Sequence, residues 1–185
     1  MIEIRHGNII PDALDCEAIV NAANPPLLGG GGVDGAIHRA AGPQLKEFCR
    51  GLPEVKPGIR CRVGEAVWTP AFDLPFKGII HTVGPMFPGA RARVFPGEYQ
   101  SQNPKSDLRA SIRACLQVAE QQGVRKLAFS SISCGVYGCS ITTFAMAARN
   151  VLREKNWDLD LVVFMVFEEP DYAMFTGTID VMAGW

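Results

Sequence analysis

Residues 21–42 read NAANPPLLGGGGVDGAIHRAAG, and the change of character along this stretch decides the fold. Just upstream, Ala18-Ile19-Val20 is a short apolar run of the kind that forms a buried strand. Asn21, Asn24 and a Pro-Pro step end that run. Four consecutive glycines, Gly29 to Gly32, come next. From there Val33, Ala36, Ile37, Ala40 and Ala41 recur at i, i+3, i+4, i+7 and i+8, which is the apolar stripe of an amphipathic helix. The stretch is therefore a strand, a loop and a helix start.

Four glycines together are costly, because each loses more backbone freedom on folding than any other residue and adds no packing. A flexible surface linker would tolerate them. So would a loop whose bare N–H groups must approach a phosphate or ribose at a helix N-terminus, where orphan donors and the helix dipole favour an anion. A linker is normally flanked by polar sequence, whereas this run sits between a buried strand and an amphipathic helix. Asn21 and Asn24 leave the strand at its C-terminal end, where ligands bind in open α/β sheets. Asp34 falls in the first helical turn, with His38 one turn on. Each also has an ordinary reading: Asn24 before Pro25 suits a turn, Asp34 suits a helix start, and His38 can simply cover the surface.

Composition points to one domain over residues 1–185. The apolar content of 48% and charged content of 20% are ordinary for a soluble globular chain. A net charge of −1 gives no electrostatic footprint for duplex nucleic acid or an acidic membrane. Cys16, Cys49, Cys61, Cys115, Cys134 and Cys139 show no C-x-x-C spacing and no nearby histidine, so no metal site is indicated. They read as reduced thiols of a cytoplasmic protein. No signal peptide and no membrane-spanning run is visible.

Further along, Ile2 to Arg5 alternates as a first strand running into His6-Gly7-Asn8-Ile9, and Pro43 can open another helical turn. Val63 to Trp68 and Gly78 to Val83 are candidate strands. His81, inside the second, reads as a core or sheet residue without assigned chemistry. The stretch 86–106 is irregular and carries Arg91, Arg93 and Tyr99; it reads as a solvated surface loop, the alternative being a border of the ligand cleft. Ser106 or Asp107 can cap a helix with Leu108, Ile112, Cys115, Leu116 and Ala119 on one face and Gly123 as its stop. Lys126 to Ser130 is a short strand. It delivers a second loop of small residues, Ser131 to Gly138, ahead of a helix over Thr142 to Lys155. Here several N–H groups can converge on a diphosphate. Leu159 to Phe167 is continuously apolar, as expected of a central strand covered on both faces. Asp171 to Val181 closes the chain as a helix interrupted or ended near Gly177. Alternating strands and helices predict a three-layer α/β/α sandwich with a mixed, mainly parallel sheet.

NAAN with GGGGVDGAIHRAAG, HTVGP at residues 81–85 and SCGVYG at residues 133–138 resemble the macrodomain family, most closely its MacroD-type ADP-ribose hydrolases. The resemblance runs from about Ile2 to about Phe175. It implies a single domain, expected to be a monomer, that binds ADP-ribose without a cofactor or metal. It also implies hydrolysis of the ester joining ADP-ribose to a protein Asp or Glu side chain, or to acetate in O-acetyl-ADP-ribose, so mono-ADP-ribosylated proteins are implied partners. By the same resemblance Asn24 positions the distal ribose and Asp34 orients or deprotonates the attacking water, unless the ligand's own phosphate activates it. Asn21, Gly30, Gly31, Gly32 and Val33 are further implied ligand-binding positions. Ser133, Cys134, Gly135 and Val136 wrap the diphosphate, and Tyr137 closes over the distal ribose. Asn8 and Ile9 meet the adenine, against which Phe167 packs, stacking being worth about 1–3 kcal/mol where it occurs; otherwise Phe167 ends a core strand. Four positions depart from the family pattern: Asn8 replaces an aspartate, Cys134 a threonine, and Cys139-Ser140 a Phe-Pro pair. A non-catalytic reader of ADP-ribosylated proteins is the competing expectation, favoured by these departures. A general mononucleotide binder with redox-sensitive cysteines is a weaker third.

Overall fold

Six strands form one sheet in the computed structural model, in the order β1-β6-β5-β2-β4-β3. The structure describes residues 1–91 and 101–182. The strands are β1 (Ile2–His6), β2 (Ala18–Ala22), β3 (Ala66–Thr69), β4 (Gly78–Thr82), β5 (Lys126–Phe129) and β6 (Leu161–Val166). All neighbouring pairs are parallel except β3 with β4. The helices are α1 (Ile9–Asp12), α2 (Gly32–Ala41), α3 (Pro43–Arg50), α4 (Pro104–Gln121), α5 (Ile141–Leu152) and α6 (Glu169–Val181).

Side-chain alternation along each strand sorts residues to the two faces. Val162, Phe164 and Val166 of β6 join Ala18 and Val20 of β2 in a core closed by α4, α5 and α6. There the Phe164 ring lies 5.3 Å from Phe129, 5.8 Å from Phe144 and 5.5 Å from Phe175, centroid to centroid. Leu161, Val163 and Met165 join Ile19 on the other face, where Ile37 and Ala41 of α2 and Leu45 and Cys49 of α3 cover them. Burial on both faces explains why β6 reads as unbroken apolar sequence.

Several boundaries differ from the sequence reading, each for a local reason. Asn8 opens a short helix, α1, where the sequence reading placed only the end of the first strand: its side chain accepts from the Ile10 N–H at 3.2 Å. Pro43 starts a full eight-residue helix, held by buried Leu45 and Cys49. Helix α4 begins at Pro104, because Asn103 and not Ser106 or Asp107 is the cap, accepting from the Ser106 N–H at 3.2 Å. Val63 lies outside β3 and makes a lone bridge to Val83. Helix α6 runs through Gly177 without a break, held by buried Phe175 and Ile179 on either side of it. Arg93 and Tyr99 lie outside the described residues.

Parallel pairing places the C-terminal ends of β1, β6, β5, β2 and β4 along one edge. The loops leaving that edge build the site.

Candidate active site

One cleft of about 480 Å³ opens at that edge, lined by Asn24, Gly30 to Asp34, Gly84, Arg91, Ser131, Ser133 and Gly135 to Tyr137 among others. The loop after β2 and the loop after β5 thus share a single crevice. Gly31 is the N-cap of α2 and supplies no side chain to the first turn, so its orphan N–H groups are left for other acceptors. Across the cleft, the N–H groups of Ser133, Gly135 and Val136 donate to no acceptor among the described residues. Ser133 holds a left-handed backbone at φ 64°. That conformation is strained for a residue other than glycine, and Ser133 also has a buried hydroxyl with no hydrogen-bond partner among the described residues.

The glycines divide by what requires them. Gly29 and Gly32 have φ of 85° and 55°, values that other residues resist. A Cβ on Gly30 would sit 3.0 Å from Asn24 Nδ2 and 3.1 Å from Asp34 Oδ2, so Gly30 lets those two side chains close on one point. Gly31 has open space around it. Gly35, inside α2, faces the Gly30 carbonyl, where a Cβ would approach to 2.4 Å. Helix propensity alone favours alanine at position 35 by about 1 kcal/mol. We expect the clash to win: Gly35→Ala should lose about 1–3 kcal/mol in urea melts, as overpacked sites do.

Asp34 is 4% exposed. Its Oδ1 accepts from Asn21 Nδ2 at 2.7 Å and faces His38 Nε2 at 3.5 Å. Its Oδ2 has no partner among the described residues, nor do Asn24 Oδ1 and Asn21 Oδ1. Asn24 is anchored by donating from Nδ2 to the Gly29 carbonyl at 3.1 Å. Burial raises the pKa of the Asp34 carboxyl above the usual aspartate range, while the Asn21 amide and the His38 ring pull it back. Burial lowers the pKa of His38, opposed by Asp34. His38 is therefore packed against the carboxylate and does not cover the surface. Behind them His81, fully buried, joins Asn21 to Thr69. Sequence reading missed this link, since Asn21 and His81 are 60 positions apart and meet only through the β2–β4 register.

The remaining expected site residues fall in several places. Val33 lines the cleft, and Val136, 61% exposed, accepts at its carbonyl from the Arg91 N–H at 2.8 Å. Arg91 is thus part of the cleft border, a correction to its reading as a surface loop residue. Cys134 does not line the cleft: its thiol turns toward the core, meets that of Cys139 and donates to the Ile132 carbonyl at 3.5 Å. That contact and burial raise its pKa. All six cysteines are free. Asn8 and Ile9 follow β1 and Phe167 follows β6, on neighbouring strands beyond the cleft lining. Phe167 is 67% exposed, so it is not the buried end of a core strand. Among the described residues no cluster of three His, Cys, Asp or Glu side chains could hold a metal ion. No helix there is long and apolar enough to cross a membrane.

Comparison with known proteins agrees with this architecture. The Macro domain family model matches residues 20–148. A Macro domain-containing protein of Ralstonia nicotianae is 48% identical over 162 residues, covering 88% of this chain and 85% of its own. A protein of Enterobacter cloacae named O-acetyl-ADP-ribose deacetylase is 45% identical over 137 residues, 74% of this chain and 68% of its own. Among solved structures, an Oceanobacillus iheyensis macrodomain with ADP superposes with a TM-score of 0.83 at 35% identity, covering 98% of this chain and 91% of that one. By the extent of the family match and these identities, the chain belongs to the macrodomain family.

Proposed function

We propose that this protein binds ADP-ribose in the cleft between the two glycine-bearing loops and hydrolyses an ester carried on its distal ribose. The esters are those of acetate and of protein Asp or Glu side chains, so O-acetyl-ADP-ribose and mono-ADP-ribosylated proteins are the substrates. One observation carries the reading: Asp34 is buried and oriented by Asn21, yet keeps one carboxylate oxygen unpartnered beside Asn24 at the lining of a cleft. A reader module needs the cleft but has no use for a buried carboxylate held in that way.

The diphosphate lies between the first turn of α2 and the loop after β5, where N–H donors from both sides suit an anion. Asn24 holds a ribose hydroxyl with its free Oδ1. A water bound to Asp34 Oδ2 attacks the ester carbonyl carbon while its proton passes to the carboxylate, a transfer that a raised pKa favours. The acyl C–O bond then breaks and the ribose oxygen leaves with that proton, giving the free acid and ADP-ribose. The name of the Enterobacter relative and the ADP held by the Oceanobacillus structure support this ligand class. At the adenine end, Asn8 Oδ1 is already engaged as a helix cap, which leaves a neutral and partly satisfied acceptor where a charged one would select adenine more strongly. Free thiols throughout fit a reducing compartment such as the cytoplasm.

The test is release of ADP-ribose from an aspartate- or glutamate-linked ADP-ribosyl protein and of acetate from O-acetyl-ADP-ribose, comparing the wild type with Asp34→Ala. Turnover by the wild type and its loss in the variant are expected. Tight ADP-ribose binding by a wild type that releases nothing would make the protein a reader.

A further inference from the structure

Behind the cleft, hydrogen bonds run in one direction through four side chains at most 4% exposed, Thr69, His81, Asn21 and Asp34. Thr69 Oγ1 donates its one proton to the Pro70 carbonyl at 3.1 Å. With its proton so placed it accepts from His81, whose Nε2 lies 3.0 Å away, a direction that the Asn21 amide between His81 and Asp34 requires from the other end. With its proton on Nε2, the neutral ring presents a bare Nδ1, and this nitrogen accepts from Asn21 Nδ2 at 3.0 Å. The second proton of the same amide goes to Asp34 Oδ1 at 2.7 Å. Both protons of Asn21 Nδ2 are thus spent on fixed acceptors.

That arrangement decides which end of the amide faces Asp34. If Asn21 were reversed, its oxygen would meet both a carboxylate oxygen and the Nδ1 lone pair, with no donor for either. If instead the imidazole carried its proton on Nδ1, it would offer Asn21 a donor and favour the reversed amide. The tautomer of His81 therefore sets the orientation of Asn21, and Thr69 sets the tautomer. We infer that His81 is a positioning residue for the hydrolysis, acting through Asn21 to hold the Asp34 carboxylate with Oδ2 free in the cleft. The inference rests on the function proposed above; His81 itself is buried and does not line the cleft.

Two substitutions separate this role from packing. Asparagine at position 81 can place an amide oxygen near the site of Nδ1 and still accept from Asn21. Glutamine reaches toward Thr69 but leaves no acceptor near Nδ1. In the full chain, His81→Gln should lower kcat roughly ten- to a hundredfold, the range seen when a group that orients a ligand from behind is lost. KM and the ADP-ribose Kd should stay within about threefold, as for an interaction that matters only in the reacting complex. His81→Asn should recover at least about tenfold of that loss if the acceptor is what counts. Thr69→Val, nearly isosteric, frees the tautomer and should lower kcat in the same selective way, so the idea remains testable if a His81 variant folds poorly.

A readout independent of turnover is the carboxyl 13C titration of Asp34. Its titratable and charged surroundings are His38 on α2, His81 on β4, Cys49 on α3 and Arg91 at the cleft border. Loss of the oriented Asn21 donor should move the Asp34 titration upward in His81→Gln and Thr69→Val, and leave it near wild type in His81→Asn. Equal losses of kcat in the Gln and Asn variants, or an unchanged Asp34 titration in Gln, would overturn the role of His81. A wild type that binds ADP-ribose without turnover, while the Asp34 titration still responds as stated, would overturn the proposed reaction and leave the hydrogen-bond relay standing.

Discussion

Asp34→Asn is expected to lower ester turnover by about 100- to 10,000-fold, the usual loss when a general base is removed, and yet to give a protein at least as stable as the wild type at neutral pH. The reason is the sign of the titration. Burial raises the folded-state pKa of Asp34 above its ordinary 3.8, so the folded protein binds this proton more tightly than the unfolded chain does. Stability from that proton is complete below the unfolded pKa and is lost as pH rises through the folded one. Asparagine keeps an oxygen for Asn21 and carries no charge to desolvate, so the variant escapes the loss. Its stability advantage should therefore grow as pH rises above the ordinary aspartate value of 3.8 in urea melts, while ADP-ribose affinity changes little. Retention of the rate within about threefold would assign water activation to the ligand's phosphate instead, leaving Asp34 as a positioner.

Acidification should reveal His81 in the opposite way. Complete burial lowers its pKa from 6.5 to about 3. The unfolded chain therefore takes up a proton that the folded protein refuses. Its stability contribution is whole above pH 6.5 and falls by about 1.4 kcal/mol per pH unit as the pH drops toward 3. Between pH 6.5 and 4.5 the expected loss from this one ring is about 2 kcal/mol, and His38, also lowered, adds to it. Asp34 works against it over part of the same range. Ion-paired carboxylates such as Asp15 with Arg5 and Glu17 with Lys77 have lowered pKa values and ordinary values of 3.8 and 4.5, so they begin to matter only near the bottom of that window. Urea melts at pH 7.5, 6.5, 5.5 and 4.5 give the slope, which should be shallower in His81→Asn. A slope unaffected by that change would mean the buried ring is not the group titrating.

The strands, the sandwich and both ligand loops were legible because each rests on local signals: apolar runs for β2, β4 and β6, and glycine clusters ahead of helices. The short α1 was hidden, since four residues capped by Asn8 carry no periodicity. The start of α4 was misplaced by three or four residues because Ser106 and Asp107 cap as readily as Asn103 in sequence, and only Pro104 at the first helical position decides between them. What could not be read were partners brought together by register. The environment of His81 depends on pairing β4 with both β2 and β3, and the border role of Arg91 depends on a main-chain contact with Val136.

The inward turn of Cys134 has a consequence for how such pockets drift over evolutionary time. Cys134 gives its N–H to the Ser131 carbonyl and turns its thiol inward, so the residue type at that position answers to its neighbours inside. Cys134 and Cys139 touch each other, so they are free to change as a pair, one compensating the other, without altering what the cleft presents. A paired change at these two places is therefore expected to repack the layer beneath the pocket floor.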